Sequence, residues 1–368
     1  IFLTNESMDA NMAFQQDWIY DIGLVVSDEI HLIADQENNT QSASRMTIAT
    51  ALEKSIIRHP IVAKFMLETY ELLLILGIDP QRIRFRQHEQ DEMAHYARDC
   101  WDCEIHGSYG WIECVGIAHR GCYDLDAHSK STSSTDLKAW REFDIPVNID
   151  ENRWVPIQAS IGPAFRQDAG DVIQSLHELE NAPDSLPFEL TLSNGKNVTI
   201  QNGMVELRRI KKTINGEWFT PHVIEPAFGI DRIVWHILDH SFDRTEKEGE
   251  MYDILRLSEQ VAPYDAVVLP LFNKDGMPEM ANQIYSQMCK TKGIIPTIDA
   301  FGKSIGRRYA RADEIGIPWA ITIDHQSTTD NTVTVRKRDN QQQIRMDIQE
   351  LISAIAIGNL AESTKWHN

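Results

Sequence analysis

The sequence predicts an α+β protein. Hairpin-paired strands flanked by helices occupy the larger front part, and a compact module of alternating strands and helices follows. Three observations carry this. At 368 residues the chain exceeds one ordinary domain and fits two. Apolar residues recur at helical spacing between Ala49 and Leu76, and two strand-like runs, Trp101–Ile105 and Tyr109–Ala118, follow. From Pro263 the pattern changes to alternation of short strands with helices. The expected division is therefore 1–260 and 261–368.

Residues 1–50 are poorly patterned, and polar Asp35–Ser44 reads as a loop. In the helical stretch the apolar positions are Ile56, Ile57, Val62, Phe65, Met66, Leu72, Leu73 and Leu76. Pro60 divides it into two helices, because a proline ring clashes with a preceding helical turn. Gly77 ends the second helix and Asp79-Pro80 stops its resumption. The charged stretch Arg82–Tyr96 leads to the two strands, joined by a turn at His106-Gly107-Ser108. Residues 127–215 read as an insertion, with Ser/Thr-rich Ser129–Thr135 and a helix near Ala169–Leu179. Within it, Phe188–Leu192 and Val198–Ile200 form a hairpin about Asn194-Gly195, a pair that tolerates the positive φ of a tight turn.

Pro221–Glu225 is read as a strand, Pro226–Gly229 as a turn, and Ile230–Phe242 as a helix whose apolar face is Ile230, Ile233, Val234, Ile237 and Leu238. A charged boundary lies near 244–262, and its stretch 244–260 reads as a linker. Beyond it the predicted strands are Ala266–Leu271, Ile294–Asp299, Trp319–Ile323 and Thr332–Arg336. The helices are Pro278–Thr291, Ile305–Ile315 and Gln341–Ile357.

Hydrophobic residues at 42% and charged residues at 24% are the balance of a folded soluble protein, expected in the cytoplasm. No run approaches the length of a membrane span, and Ile1–Asn11 lacks the basic and apolar regions of a secretory signal. Five cysteines, an odd number, speak for a reducing compartment rather than a disulfide framework. Cys100 and Cys103, with Cys114 and Cys122, read either as four zinc thiolates or as small buried hydrophobes on adjacent strands; the second reading is preferred and no metal site is assigned. The net charge of −20 lies entirely in 1–260, whereas 261–368 carries twelve residues of each sign. Within 303–345 eight basic residues face five acidic ones, a local excess suited to phosphate contact at one surface.

Three groups of residues carry a resemblance. His222-Val-Ile-Glu-Pro-Ala-Phe-Gly-Ile-Asp-Arg232 resembles the third signature motif of class II aminoacyl-tRNA synthetases. Arg84-Phe-Arg-Gln-His88, Glu92-Met-Ala-His-Tyr96, Tyr109-Gly-Trp-Ile-Glu-Cys-Val-Gly116 and Tyr123-Asp-Leu125 resemble glycine–tRNA ligases of archaeal and eukaryotic type. Ser304-Ile-Gly-Arg-Arg-Tyr-Ala-Arg-Ala-Asp-Glu-Ile-Gly316 is similar to the anticodon-binding domain shared with the threonine, proline and histidine enzymes. The match runs from about 56 to 357. It implies an antiparallel catalytic sheet flanked by helices in 1–260, an anticodon-binding domain with mixed sheet in 261–368, and a homodimer in the full-length protein. The implied substrates are glycine, ATP with associated Mg²⁺, and glycine tRNA, joined through a glycyl-adenylate.

A guanidinium at the start of a helix offers a fork of donors matched to phosphate, and the family's arginine at the position of Arg232 binds ATP. Read without the motif, Arg232 is a surface ion pair. Glycine has no side chain to recognise, so its site must read an ammonium group and exclude anything larger. The resemblance gives the ammonium to Glu113 and Glu225, places Glu225 beside ATP also, and puts position 227 in the pocket. Here Ala227 stands where the family commonly has Ser, and His119 where it has an acid. Arg84, Arg86, His88 and His95 line the active-site side in the family, which suits contact with substrate or the tRNA end. Arg307, Arg308 and Arg311 lie on one helix, with Gly306 at its start, and Arg336, Lys337 and Arg338 end a strand. All six are candidates for tRNA contact, although some of the helix arginines could instead pair with Asp313 or Asp299. Asp324 or Gln326 could accept from cytosine amino groups of the anticodon.

Residues 1–55, whose only arginine is Arg45, contain neither the family's first motif nor its second. The resemblance therefore implies an incomplete piece of the enzyme, inactive alone. The alternative is a non-catalytic nucleic-acid-binding or accessory protein on the same scaffold.

Overall fold

The computed structural model describes residues 30–36, 40–179, 183, 185–247, 249–300, 302–362 and 366. Expectations for residues 1–29 lie outside them. Two units emerge: one runs to Asp124 and resumes at His222, and the other is Leu125–Pro221.

The first unit opens with a hairpin of β1 (Ile30–Gln36) and β2 (Thr40–Met46), where the sequence suggested a loop. Strand β2 lies at the sheet edge. An edge strand facing solvent keeps polar residues, so the apolar alternation that marks a strand is missing. Helix α1 (Ile48–Glu53) and helix α2 (Pro60–Ile75) follow. Pro60 takes the first helical position, where its missing N–H costs nothing, and His59 Nδ1 caps the end by accepting from Ile61 N at 3.2 Å. At the other end Gly77 has φ +91°; Gly77 N donates to Leu74 O and Ile78 N to Leu73 O, both at 3.0 Å. That is a glycine-terminated Schellman cap.

Strands β3 (Ile83–Gln87), β4 (Asp99–Gly107) and β5 (Gly110–Gly121) come next, and the β4–β5 turn sits at Ser108-Tyr109. The charged stretch expected before the strands thus contains a strand itself. The second unit holds α3 (Tyr123–Thr132) from its third residue, β6 (Ala139–Pro156), α4 (Gln158–Phe165), α5 (Ala169–Glu178), β7 (Phe188–Thr191), β8 (Asn197–Ile200) and β9 (Val205–Phe219). Its long β6–β9 ribbon was not legible in the sequence, because most of both strands is solvated. The β7–β8 hairpin and α5 close a small core around Ile161, Val172, Leu176, Leu190 and Ile200.

The first unit resumes with β10 (Val223–Phe228) and α6 (Ile230–Ser241). Strand β10 runs through Pro226 where a turn was expected; as an edge strand it needs no donor there. The sheet order is β10-β5-β4-β3-β1-β2, antiparallel except for β1 with β3. Alternation divides it into two faces. Leu32, Phe85, Trp101, Cys103, Ile105, Val115, Ile117 and Ile224 pack with α1 and α2 in the first core. The other face carries Arg84, Arg86, Asp102, Glu104, Arg120 and Glu225, which are register partners or neighbours across the ladder.

A hairpin stands within the stretch that reads as a linker. Strand β11 (Phe242–Lys247) pairs with β12 (Glu250–Leu255), and Arg244 forks onto Asp253 at 2.6 and 2.8 Å. The second sheet contains β13 (Ala266–Pro270), β14 (Pro296–Ile298), β15 (Trp319–Ile323), β16 (Thr332–Lys337) and β17 (Gln343–Asp347), with α7 (Met277–Lys290), α8 (Ile305–Glu314), α9 (Ser327–Asp330) and α10 (Ile348–Ala356). Its order is β14-β13-β15-β16-β17, parallel over the first three and antiparallel thereafter. Strands β13 and β15 are buried along their whole length, with apolar clusters on both faces, so they read as continuous apolar runs. The predicted helix from Gln341 begins only at Ile348: 343–347 is strand, and Asp347 caps the helix by accepting from Gln349 N and Glu350 N. Among the described residues no helix is long and apolar enough to cross a membrane.

Candidate active site on the polar face of the first sheet

Glu225 on β10 stands opposite Ala118 of β5, and Ala227 opposite Gly116. On this face the two strands therefore present glycine and alanine between two carboxylates. Glu225 lies at one side. Glu113 lies further along β5, and its side chain reaches back so that a Cβ on Gly116 would meet Glu113 Oε1 at 3.9 Å. Both carboxylates are about half exposed, at 46% and 52%. A floor with nothing larger than a methyl group leaves room beside two acids, the shape a very small cationic group requires.

Arg120 was not singled out from the sequence, yet it organises one edge. Its Nη1 donates to Glu225, its Nε donates to Asp124 Oδ2 at 2.8 Å, and its guanidinium lies 4.0 Å over the Tyr96 ring. The two carboxylates hold it above the ordinary arginine range. Alternation alone puts Arg120 on the face of Ala118, and the register puts Glu225 on that same face.

Gly229 leads into α6, and its N donates to Cys114 O at 2.8 Å, which ties the helix to β5. A Cβ there would approach that carbonyl to 3.1 Å. Arg232 follows in the first turn. Its side chain is 55% exposed, with Nη1 donating to Glu113 O at 2.6 Å and 3.7 Å from Glu113 Oε2. A fork of donors thus stands at a helix start beside Glu113, positioned for an anion.

Toward β3 the face becomes a charge lattice. Arg84 pairs with Glu104 and lies 4.1 Å over the Trp111 ring. Arg86 bonds Glu92 at 2.8 Å and Asp102 at 3.2 Å, and His88 Nε2 contacts Asp102 Oδ2 at 2.8 Å. Cys100 borders this group; burial, with Asp102 next, pushes its thiol up to about 12, which disfavours the thiolate. His95 packs edge-on against Tyr96 and Tyr123, each at 5.3 Å, and connects the lattice to Arg120. Cys100 and Cys103, three apart on one strand, point to opposite faces and do not converge on one ion.

His119 requires a correction. It lies on the apolar face, opposite to Glu225 and Arg120, so it takes no part in the two-carboxylate site. Its exchange for an acid does not remove charge from that pocket.

The C-terminal arginines divide by burial. Arg308 is 4% exposed and donates to Pro270 O at 2.7 Å and to Asp299 O and Leu271 O at 3.2 Å. Arg336, 4% exposed, forks onto Asp313 with two 2.9 Å bonds, and Tyr252 Oη donates to the same carboxylate. Arg338, 3% exposed, donates to Gly316 O and Leu257 O at 2.8 Å. These three brace the fold and do not reach a phosphate, contrary to expectation. Arg307 is exposed, Arg311 pairs with Asp299 Oδ2 at 2.7 Å, and Lys337 is half-buried. Gly306 has open space around it. Asp324 is held by Arg345 at 2.7 and 3.0 Å, well below the usual carboxylate range, whereas Gln326 is exposed.

Residues 265–356 match the family model described as an anticodon binding domain. The chain is 42% identical over 314 residues to the glycine–tRNA ligase of Archaeoglobus fulgidus, covering 85% of this chain and 54% of that protein. It is 43% identical over 324 residues to the glycine–tRNA ligase of Methanocaldococcus jannaschii, covering 86% and 55%. The chain thus spans about half the length of the curated relatives it matches. A crystal structure of prolyl-tRNA synthetase from Cryptosporidium parvum, complexed with L-proline and AMP, aligns with TM-score 0.42 and 13% identity over 88% of this chain and 47% of that chain, a likeness too loose to carry an argument.

Proposed function

We infer that this chain, which belongs to the class II glycine–tRNA ligase family, carries the amino-acid and nucleotide face of a ligase that activates glycine with ATP and transfers it to tRNA. One observation supports this most: Glu113 and Glu225 flank a strip made of Gly116, Ala118 and Ala227. Two carboxylates attract an ammonium group, and the small floor admits an amino acid without a side chain. Arg120, anchored on Asp124, orients Glu225.

The glycine carboxylate attacks the α-phosphorus of ATP, and pyrophosphate leaves. The tRNA 3′-terminal hydroxyl then attacks the carbonyl of the adenylate, and AMP leaves. Arg232 stabilises charge on the reacting phosphates, and Mg²⁺ arrives with ATP as part of the substrate. No side chain need act as acid or base, because positioning supplies much of the acceleration. The exposed Arg307 and Arg311, with Lys337, serve tRNA phosphates, and Gln326 serves as an acceptor for anticodon bases.

The relevant protein for assay is a completed ligase, in which the chain is joined to the part of a relative outside the matched span. In it, Glu113→Gln and Glu225→Gln should each raise the glycine KM about 10- to 100-fold, the loss of one charge-assisted hydrogen bond, and raise the ATP KM by less. An unchanged glycine KM in both variants removes the two-carboxylate site. On the alternative reading, a non-catalytic binding protein, the completed protein binds tRNA and shows no glycine-dependent exchange of pyrophosphate into ATP.

A further inference from the structure

Three histidines from separate stretches of the first unit meet on the apolar face of the first sheet, behind the strands that carry Arg120 and Glu225. His119 stands on β5, His222 directly precedes β10, and His59 caps α2. His119 Nε2 and His222 Nδ1 are 3.0 Å apart. Ring centroids lie 4.5 Å apart for His59 with His119, 5.1 Å for His119 with His222, and 6.4 Å for His59 with His222. One ring nitrogen from each falls within 4.8 Å of the other two. His119 and His222 are 7% exposed, and His59 is half-buried, so the cluster opens to solvent on the His59 side.

Burial disfavours the charged form of two of the rings. Burial, then repulsion from His222, lowers His59 to about 4. Burial, then repulsion from His59, His222 and Arg98, lowers His119 to about 3. Asp99, the ladder partner of His119, is buried on the same face, where it accepts from Gln87 Nε2 at 2.8 Å and Trp101 Nε1 at 3.2 Å. Converging imidazole nitrogens are ligand groups for a transition-metal ion, and the His119–His222 hydrogen bond is exchanged for the ion when it binds.

We propose that His59, His119 and His222 form a binding site for one divalent transition-metal ion of the zinc type. Imidazole nitrogens at about 2.0–2.1 Å from a tetrahedral ion lie roughly 3.3 Å from each other, so the His119–His222 pair opens by a few tenths of an ångström and His59 closes in. No net proton is lost. Where a facing nitrogen carries hydrogen, the hydrogen moves to the outer nitrogen of the same ring. His59 gives up the 3.2 Å bond that Nδ1 accepts from Ile61 N, and Pro60 keeps the helix start in place. Three histidines leave a fourth position for water on the open side. The ion ties the start of α2 to β5 and β10, and so braces from behind the strands that present Arg120 and Glu225.

The test uses the whole 368-residue chain, stripped with a chelator and titrated with Zn²⁺ alone, then with Co²⁺ as a spectroscopic probe. One tight equivalent per chain is expected, with the visible bands of a tetrahedral cobalt site. The chain has thirteen histidines, so variants must separate this site from adventitious surface binding. His119→Ala should abolish the tight phase. Because His119 is buried and that variant can fail to fold, His59→Asn decides: asparagine is a good helix cap, so the metal-free unfolding midpoint stays, while Zn²⁺ affinity falls by about 100-fold or more. A Zn²⁺ affinity unaltered by His59→Asn, or no tight equivalent in the parent, overturns the proposal.

Discussion

Replacing Arg232 with alanine in the completed ligase should lower glycine-dependent pyrophosphate exchange by on the order of 100- to 1,000-fold, the usual loss for one preorganised donor to a developing charge. The unfolding midpoint should not move. The side chain is 55% exposed and anchored chiefly by the bond to Glu113 O, while Gly229 N and the buried Ile233 and Ile237 hold α6 without it. The proximity to Glu113 Oε2 suggests a competing role as a brace for that carboxylate. The two separate kinetically: a brace raises the glycine KM, whereas a phosphate ligand lowers kcat and raises the ATP KM. An unchanged exchange rate removes Arg232 from the site.

The largest structural effect is expected at Asp313. Asp313→Ala should destabilise the first unit by about 3–5 kcal/mol, because it leaves a buried guanidinium without its partner. Asp313 is 1% exposed, accepts a fork from Arg336 and the Tyr252 hydroxyl, and lies where Arg336 also covers the Tyr309 ring at 4.8 Å. Replacing both charged partners with apolar residues, Asp313→Leu with Arg336→Met, should recover most of the loss, since no charge is then stranded. Denaturant unfolding of the three proteins measures it. Parental stability in Asp313→Ala would show that the ion pair does not brace the fold, and would return Arg336 to the candidates for RNA contact.

What could be read from sequence followed the physics of each segment. Helix α2 was legible because Pro60, Gly77 and its apolar spacing all act locally. Strands β13 and β15 were legible because burial on both faces makes them continuous apolar runs. Strand β2 and the β6–β9 ribbon were hidden because solvent-facing strands keep polar residues, and β11–β12 because its charged residues pair across the hairpin, Arg244 with Asp253. The resemblance pointed to Glu113, Glu225 and Arg232, but their setting depends on register: only the pairing of Ala227 with Gly116 and of Glu225 with Ala118 brings small residues between the acids. The same register moves His119 to the other face. Burial, which no local pattern reveals, separates Arg308, Arg336 and Arg338 from Arg307, Arg311 and Lys337.

Exchange of labelled pyrophosphate into ATP, with and without glycine, tests the central claim most directly. The completed ligase should exchange only when glycine is present, and the 368-residue chain alone should not exchange, because its relatives are about twice its matched length. Exchange by the chain alone would contradict the view that it is one part of the site. A folded, completed protein that binds ATP yet shows no glycine-dependent exchange would contradict the assignment of this face as the glycine and ATP site.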